Sequence, residues 1–389
     1  MRGLHAAVVA GCMAACAAGI AHAQVFVRGQ EAPASGAVLS IDAAGVFVSE
    51  GGGEDGKGKA TKIVSWDRVR EVRGEQSGPA AAFTAMADDL WRARTRIERG
   101  DYAAAEPLLE GVASTARAGK SAIGPTGAVL EEGLLRCRLH RGAQASAVFP
   151  YLRWRAVQES AQVTGTRGAW IGGTFDAPSI FDSKTQLCPG LPPVFLDDAA
   201  VMTMAASVEW EGVSSGELGA WYRAAAVFET SGGRESALPA DPSVVGQRED
   251  VRFVADVVLA RAGNAEQRAA ARASLISRLA APDLAPWAEA WCRVGIGRSL
   301  LLEQGVDDQR RGVLHLLHVP ARLSRTSPYL ASVALAESAR AIMKMGDATG
   351  ASMVKAELVD RYPRRSASSW TGLAEIRVNP EAGAGREVK

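Results

Sequence analysis

Two periods of apolar residues divide the chain. Over 25–74 apolar and polar positions alternate: "GAVLSIDAAGVFVSE" (36–50) breaks at Gly45, and "TKIVSWDRVREV" (61–72) adds a further run around 63–66. Alternation is the signature of half-buried strands, so 24–75 is expected to be a small β-domain of three to five strands, a β-meander or SH3-like. After a Gly/Pro/Ala spacer at 77–81 the period lengthens to that of an α-helix. Helices are expected over 82–99, 102–118, 127–141 and 143–161, the helical segment running to 162. The pattern then stops. Residues 163–198 are rich in glycine and proline without sustained periodicity, far longer than ordinary connections of roughly 4–6 residues. Trp170, Phe175, Phe181 and Phe195 favour a packed segment, either a functional lid or a structural bridge laid over the helices.

Helical periodicity resumes across 199–370. The clearest segments are "ELGAWYRAAAVFET" (217–230), "DVRFVADVVLARAG" (250–263), "AEQRAAARASLISRLAA" (265–281), "PWAEAWCRVGIGRSLLLEQG" (286–305) and "YLASVALAESARAIMKMG" (329–346). The expected fold class is mainly α, a body of helical hairpins behind a small N-terminal β-domain. Residues 371–389 lack apolar anchors and are expected to form a disordered tail.

The first 23 residues read as an export signal: Arg2, an uncharged run over 4–20, and the small-residue site "AHA" ending at Ala23. A competing reading takes "VAGC" (9–12) as a lipid-attachment box with Cys12 acylated. Either places the protein in the periplasm or outside the cell. The chain carries 44 basic and 43 acidic residues, a balance that argues against nucleic acid or an anionic membrane as a general partner. No later segment has the roughly 20 continuous apolar residues of a membrane span. Beyond the signal, Cys137, Cys188 and Cys292 are too few and too scattered for a disulfide framework, and small buried thiols are expected.

"ERGDYAAAEPLLEG" (98–111) contains an Arg-Gly-Asp tripeptide and resembles a tetratricopeptide repeat, a 34-residue pair of antiparallel helices. With Gly100 at repeat position 15, Ala93 falls at 8, Asp101 at 16, Ala105 at 20 and Leu109 at 24. The tripeptide is then the turn between two helices. A second segment fits with Gly346 at position 15: Leu335 at 4, Ala339 at 8, Ala351 at 20, Leu358 at 27 and Pro363 at 32. Its ending in Tyr362–Pro363 is also similar to repeats of bacterial envelope-assembly proteins. A third places Gly142 at 15, Ala147 at 20 and Tyr151 at 24. The resemblance implies a superhelix of stacked hairpins and a concave surface that binds a protein or peptide. In the three segments repeat position 9, which faces that surface in the family, holds Arg94, Arg136 and Arg340, whose guanidiniums suit carboxylates.

"GGGEDGKGK" (51–59) has the Gly51, Gly56 and Lys57 spacing of a phosphate loop, but Gly58 stands where Ser or Thr is needed and a strand follows instead of a helix. A hairpin tip is expected there. His315 and His318 share a helix face three residues apart, without a third ligand at i±4. Asp176, Asp182, Asp197 and Asp198 fit turns and helix caps better than a calcium loop. Ser299 lies mid-helix, and Gly295 and Gly297 suit close helix packing. No catalytic constellation, metal or cofactor is expected. The leading function is a non-catalytic scaffold of the envelope; the alternative is a metal-assisted hydrolase using the long-loop aspartates with His315 or His318.

Overall fold

The computed structural model describes residues 23–49, 61–118, 124–212, 216–233, 238–239 and 248–378. The export and lipidation readings, apart from Ala23, and the phosphate-loop reading lie outside these residues.

The β region forms two small sheets. β1 (Gln24–Val27) pairs antiparallel with β5 (Val69–Arg73); β2 (Val38–Asp42), β3 (Gly45–Ser49) and β4 (Thr61–Val64) form an antiparallel meander. The fourth strand of that second sheet, β6 (Trp170–Ile171), comes from the long segment and lies parallel to β4. This β region has no core of its own. Val25, Val46, Val64 and Trp66 share one with Leu90, Ile97, Leu109, Leu130 and Leu134 of the helices that follow. Thr126 joins the two: its hydroxyl donates to Ala44 O at 2.8 Å and accepts from Trp66 N at 3.0 Å.

The rest is helical: α1 (Ser77–Ala81), α2 (Thr84–Glu98), α3 (Tyr102–Ala118), α4 (Gly124–His140), α5 (Gln144–Val163), α6 (Ala199–Ala205), α7 (Glu209–Gly212), α8 (Gly216–Thr230), α9 (Glu249–Ala262), α10 (Ala265–Leu279), α11 (Pro286–Leu300), α12 (Val306–Arg322), α13 (Pro328–Lys344) and α14 (Ala348–Arg361). Sequence neighbours pack against each other: α2 on α3, α4 on α5, α9 on α10, α11 on α12 and α13 on α14. Three of these hairpins turn at the expected glycines, Gly100, Gly142 and Gly346, with φ of +80°, +78° and +90°. That left-handed conformation is open to glycine and strained for other residues. After the first and last turns an aspartate caps the incoming helix, Asp101 accepting from Ala104 N and Asp347 from Gly350 N. The Arg-Gly-Asp tripeptide is thus a tight helix-to-helix turn. Small residues hold the hairpins close: Ala93, Ala105, Ala147, Ala339 and Ala351 are all fully buried.

α11 is buried on nearly every side because α9, α10, α12 and α13 all pack on it. A Cβ on Gly297 would sit 2.9 Å from Gly312 O and 2.7 Å from Leu316 Cγ, so α11 and α12 cross almost backbone to backbone. α12 falls inside the helical stretch 199–370 but outside its clearest segments. Pro320 lies inside it, near its end.

The long segment is a bridge. Phe175 enters the β-side core, while Leu187, Cys188, Leu191, Val194, Phe195 and Leu196 enter the larger one. An irregular backbone can be buried only if its carbonyls find donors. Here side chains supply them: Tyr222 Oη to Leu191 O at 2.6 Å, Tyr329 Oη to Val194 O at 2.8 Å, Trp291 Nε1 to Pro189 O at 3.2 Å and Arg298 Nη2 to Phe195 O at 2.9 Å. Part of the stretch expected as a tail is packed on the body. Leu373 and Ile376 are buried, and Lys355 Nζ donates to both their carbonyls. Cys137, Cys188 and Cys292 are buried free thiols, each pushed up to about 12 by that burial.

Candidate binding hollow

The three arginines that share a repeat position end in different surroundings. Arg94 is buried, with Nη1 on Asp67 Oδ2 at 2.9 Å and Thr174 O at 2.6 Å, Nη2 on Asp176 Oδ2 at 3.1 Å and Nε on Glu98 Oε1 at 2.9 Å. Arg136 is equally enclosed, donating to Glu132 Oε1 at 2.7 Å and to Pro178 O at 2.9 Å. Both guanidiniums are struts between a helix and the bridge, flanking the Phe175 ring. With their donors so engaged they are not open ligand groups, and the position count that grouped them with Arg340 gives no hint of it.

Arg340 differs. It lines three adjoining cavities of about 450, 790 and 330 Å³, which share it and together form a hollow on the C-terminal half of the body. α13 supplies Arg340 and Lys344, α9 supplies Arg261, α10 supplies Arg268, and Gln309 of α12 stands on the wall. The Arg340 guanidinium lies 5.1 Å from the centre of the Trp370 ring, a cation–π contact that holds it without neutralising it. Neither Arg340 nor Lys344 makes a salt bridge with another described residue. The Arg340 charge one turn away, then partial burial, then Arg261 hold the Lys344 amine below its ordinary range.

Most acids of the hollow are already engaged. Arg298 joins Glu337, at 2.8 Å, to Glu229, also at 2.8 Å, and Arg261 reaches Glu229 at 3.1 Å. Burial alone would raise the Glu229 carboxyl, but Arg298 and Arg261 outweigh it and hold it low. Burial likewise opposes the Arg298 charge, and the two glutamates more than restore it. Asp197 accepts from Trp370 Nε1. Exposed Glu375 lies on the rim. The hollow therefore presents Arg340 and Lys344; Arg268 lines it too, with Nη1 held by Gly263 O and a buried Nε without a partner. Chemically it can grip carboxylates or phosphates, and among the described residues no nucleophile with its base stands beside them. Of its cations the sequence pointed to Arg340 alone. Lys344, at position 13 of the same repeat, was within reach of that count; Arg261, Arg268 and Trp370 converge only through tertiary packing.

The residues of the hydrolase alternative do not converge. Asp176 pairs with Arg94 and Arg68, Asp182 accepts from Thr185 N at 2.8 Å, and Asp198 caps α6 by accepting from Val201 N at 2.9 Å. His318 Nε2 lies 3.1 Å from Glu289 Oε1, a neighbour on α11 and so beyond any i±4 spacing. His315 Nδ1 is buried without a partner, and burial followed by the Arg293 charge lowers its proton affinity. Among the described residues no three His, Cys, Asp or Glu side chains are grouped as metal ligands. Ser299 accepts a hydrogen bond from Arg272 Nη1 inside the helical body. Among the described residues, too, no helix is long and apolar enough to cross a membrane. Comparison with protein families, curated proteins and solved structures finds no match.

Proposed function

We propose that this chain is an exported, non-catalytic scaffold of the cell envelope, similar to tetratricopeptide-repeat proteins, whose C-terminal hollow receives an acidic segment of a protein or peptide. The pair Arg340 and Lys344 carries the reading. Like charges four residues apart on a helix cost roughly 0.2–0.5 kcal/mol, and a glutamate at either place would have been stabilising. An anionic partner turns that repulsion into attraction, with Arg340 able to grip a carboxylate through two N–H groups. Stacked hairpins turning at Gly100, Gly142 and Gly346 support the repeat resemblance, and the charged, apolar, small-residue N-terminus supports export.

The test is site-specific photo-crosslinking in the native host. A crosslinking residue replaces Gln309 on the wall of the hollow, and another replaces exposed Leu314 on the same helix as control. The expected result is a partner captured from position 309 alone, whose purified form binds the Arg340→Glu/Lys344→Glu protein at least about 10-fold more weakly. Equal capture from both positions, or affinity indifferent to the charge reversal, contradicts the proposal.

A further inference from the structure

Trp370 engages two opposite charges at once. Its indole Nε1 donates to Asp197 Oδ1, and the Arg340 guanidinium lies over its ring with Cζ 5.1 Å from the centre. Asp197 comes from the end of the bridge, Arg340 from α13 and the tryptophan from the segment after α14. Asp197 and Arg340 both line the cavity of about 790 Å³, and Trp370 lines the one of about 450 Å³ that Arg340 shares. Because one indole touches both, the two charges stand within roughly a Debye length, about 10 Å. Yet among the described residues neither makes a salt bridge. Glu229 and Glu337 are neutralised by arginines, whereas Asp197 is held by a neutral donor that leaves its charge in place. The indole is itself fixed. Trp370 is only 6% exposed, and a Cβ on Gly372 would stand 2.7 Å from its Cε2 and Cζ2, so the ring packs directly on that backbone. Buried Leu373 and Ile376, whose carbonyls take Lys355 Nζ at 2.9 and 2.6 Å, anchor the segment that carries it.

We infer that Trp370 is the positioning residue that keeps the hollow open to an acidic ligand, by holding Asp197 off Arg340. A carboxylate free to turn finds its strongest partner in a guanidinium, which it can grip through two N–H groups. Asp197 and a ligand carboxylate are therefore competitors for one fork, and the indole N–H decides between them. The ring does the other half of the work. A cation–π contact uses the flat face of the guanidinium and none of its N–H donors. Among the described residues Arg340 spends none of those donors elsewhere, so they remain for the ligand. Loss of the indole N–H exchanges one hydrogen bond for an internal ion pair that closes the site. The inference rests on the anion-binding reading of the hollow and names the residue that regulates it.

The experiment uses the full chain, titrated with an oligoglutamate peptide at low salt. Trp370→Phe keeps a ring beside Arg340 and removes the N–H; it should bind the peptide at least about 3-fold more weakly than the parent. Adding Asp197→Asn removes the competing charge and should return the affinity to within about 2-fold of the parent. A tryptophan that merely supports the fold would not be rescued in this way. Should Trp370→Phe not fold, Asp197→Asn alone decides, since it should bind at least as tightly as the parent. Urea melts give a reading without peptide: Asp197→Asn and Arg340→Gln should be additive in the parent and non-additive in Trp370→Phe. A parent that does not bind the peptide overturns the hollow and this inference with it. Binding that Trp370→Phe leaves unchanged, that Asp197→Asn fails to restore, or that Asp197→Asn alone weakens overturns the inference and leaves the hollow standing, as does additivity in both backgrounds.

Discussion

Arg340 and Lys344 stand one turn apart on α13, and among the described residues the only aromatic or acidic group that engages either is Trp370, whose ring centre lies 5.1 Å from the arginine. The fold holds this arrangement against its own electrostatics, since the Arg340 charge depresses the lysine's affinity for a proton. The sign follows: a base whose pKa is lowered on folding opposes stability while charged, and that opposition fades as pH rises toward its ordinary 10.5. Arg340→Gln and Lys344→Gln should each leave the chain as stable as the parent at neutral pH, or stabler by about 0.2–0.5 kcal/mol. Urea melts check this; a loss of stability would mean the pair serves the fold.

The Arg298 network carries the opposite expectation. Its guanidinium is buried between Glu229 and Glu337 and also donates to Phe195 O of the bridge. Removing one member of a buried ionic group leaves its partners uncompensated, at a cost of about 3–5 kcal/mol. Arg298→Ala should therefore lower the urea midpoint severely. Arg298→Met combined with Glu337→Gln, leaving Glu229 to Arg261, should recover much of that loss, because no charge is then stranded.

Gly297 and Gly100 test two different uses of glycine. Gly297→Ala drives a methyl into Gly312 O and Leu316, and overpacking of this kind costs about 1–3 kcal/mol. Gly100→Ala meets no neighbouring atom but strains a residue at φ +80°, costing about 1–2 kcal/mol. The distinction is visible in relief: Leu316→Ala should offset part of the first loss, while no side-chain truncation should relieve the second. Thermal melts of the double variants decide it.

His315 gives the fold an acid-sensitive point. Burial, Arg293, His318 and Arg311 all disfavour its protonated form, so its folded pKa lies below the ordinary 6.5. The unfolded chain then takes up the proton first, and stability declines as pH falls from about 6.5 through the folded value. Replacing it, as in His315→Gln, should flatten that part of the stability profile relative to the parent. A difference profile unchanged between pH 7 and 5 would contradict this.

Much of the helical body is legible along the chain, because hairpin turns leave local marks: a glycine free to adopt positive φ, an aspartate one residue later and small residues at the crossing. The bridge is legible only as something packed. Its path depends on Tyr222, Trp291, Arg298 and Tyr329, donors 31 to 135 residues away. The same limit misplaces Arg94 and Arg136. A repeat count says which face a side chain takes, while the acids that claim Arg94, Asp67 and Asp176, arrive from 27 and 82 residues off. The count singles out Arg340, which lines the hollow, yet the cations around it come from three helices whose meeting no periodicity records.

A glutamate-rich peptide titrated into the purified chain at increasing salt tests the hollow most directly. Saturable, salt-weakened binding that disappears in the Arg340→Glu/Lys344→Glu protein is the predicted result. Binding that survives the charge reversal, or no binding at low salt, would contradict an anion-gripping hollow.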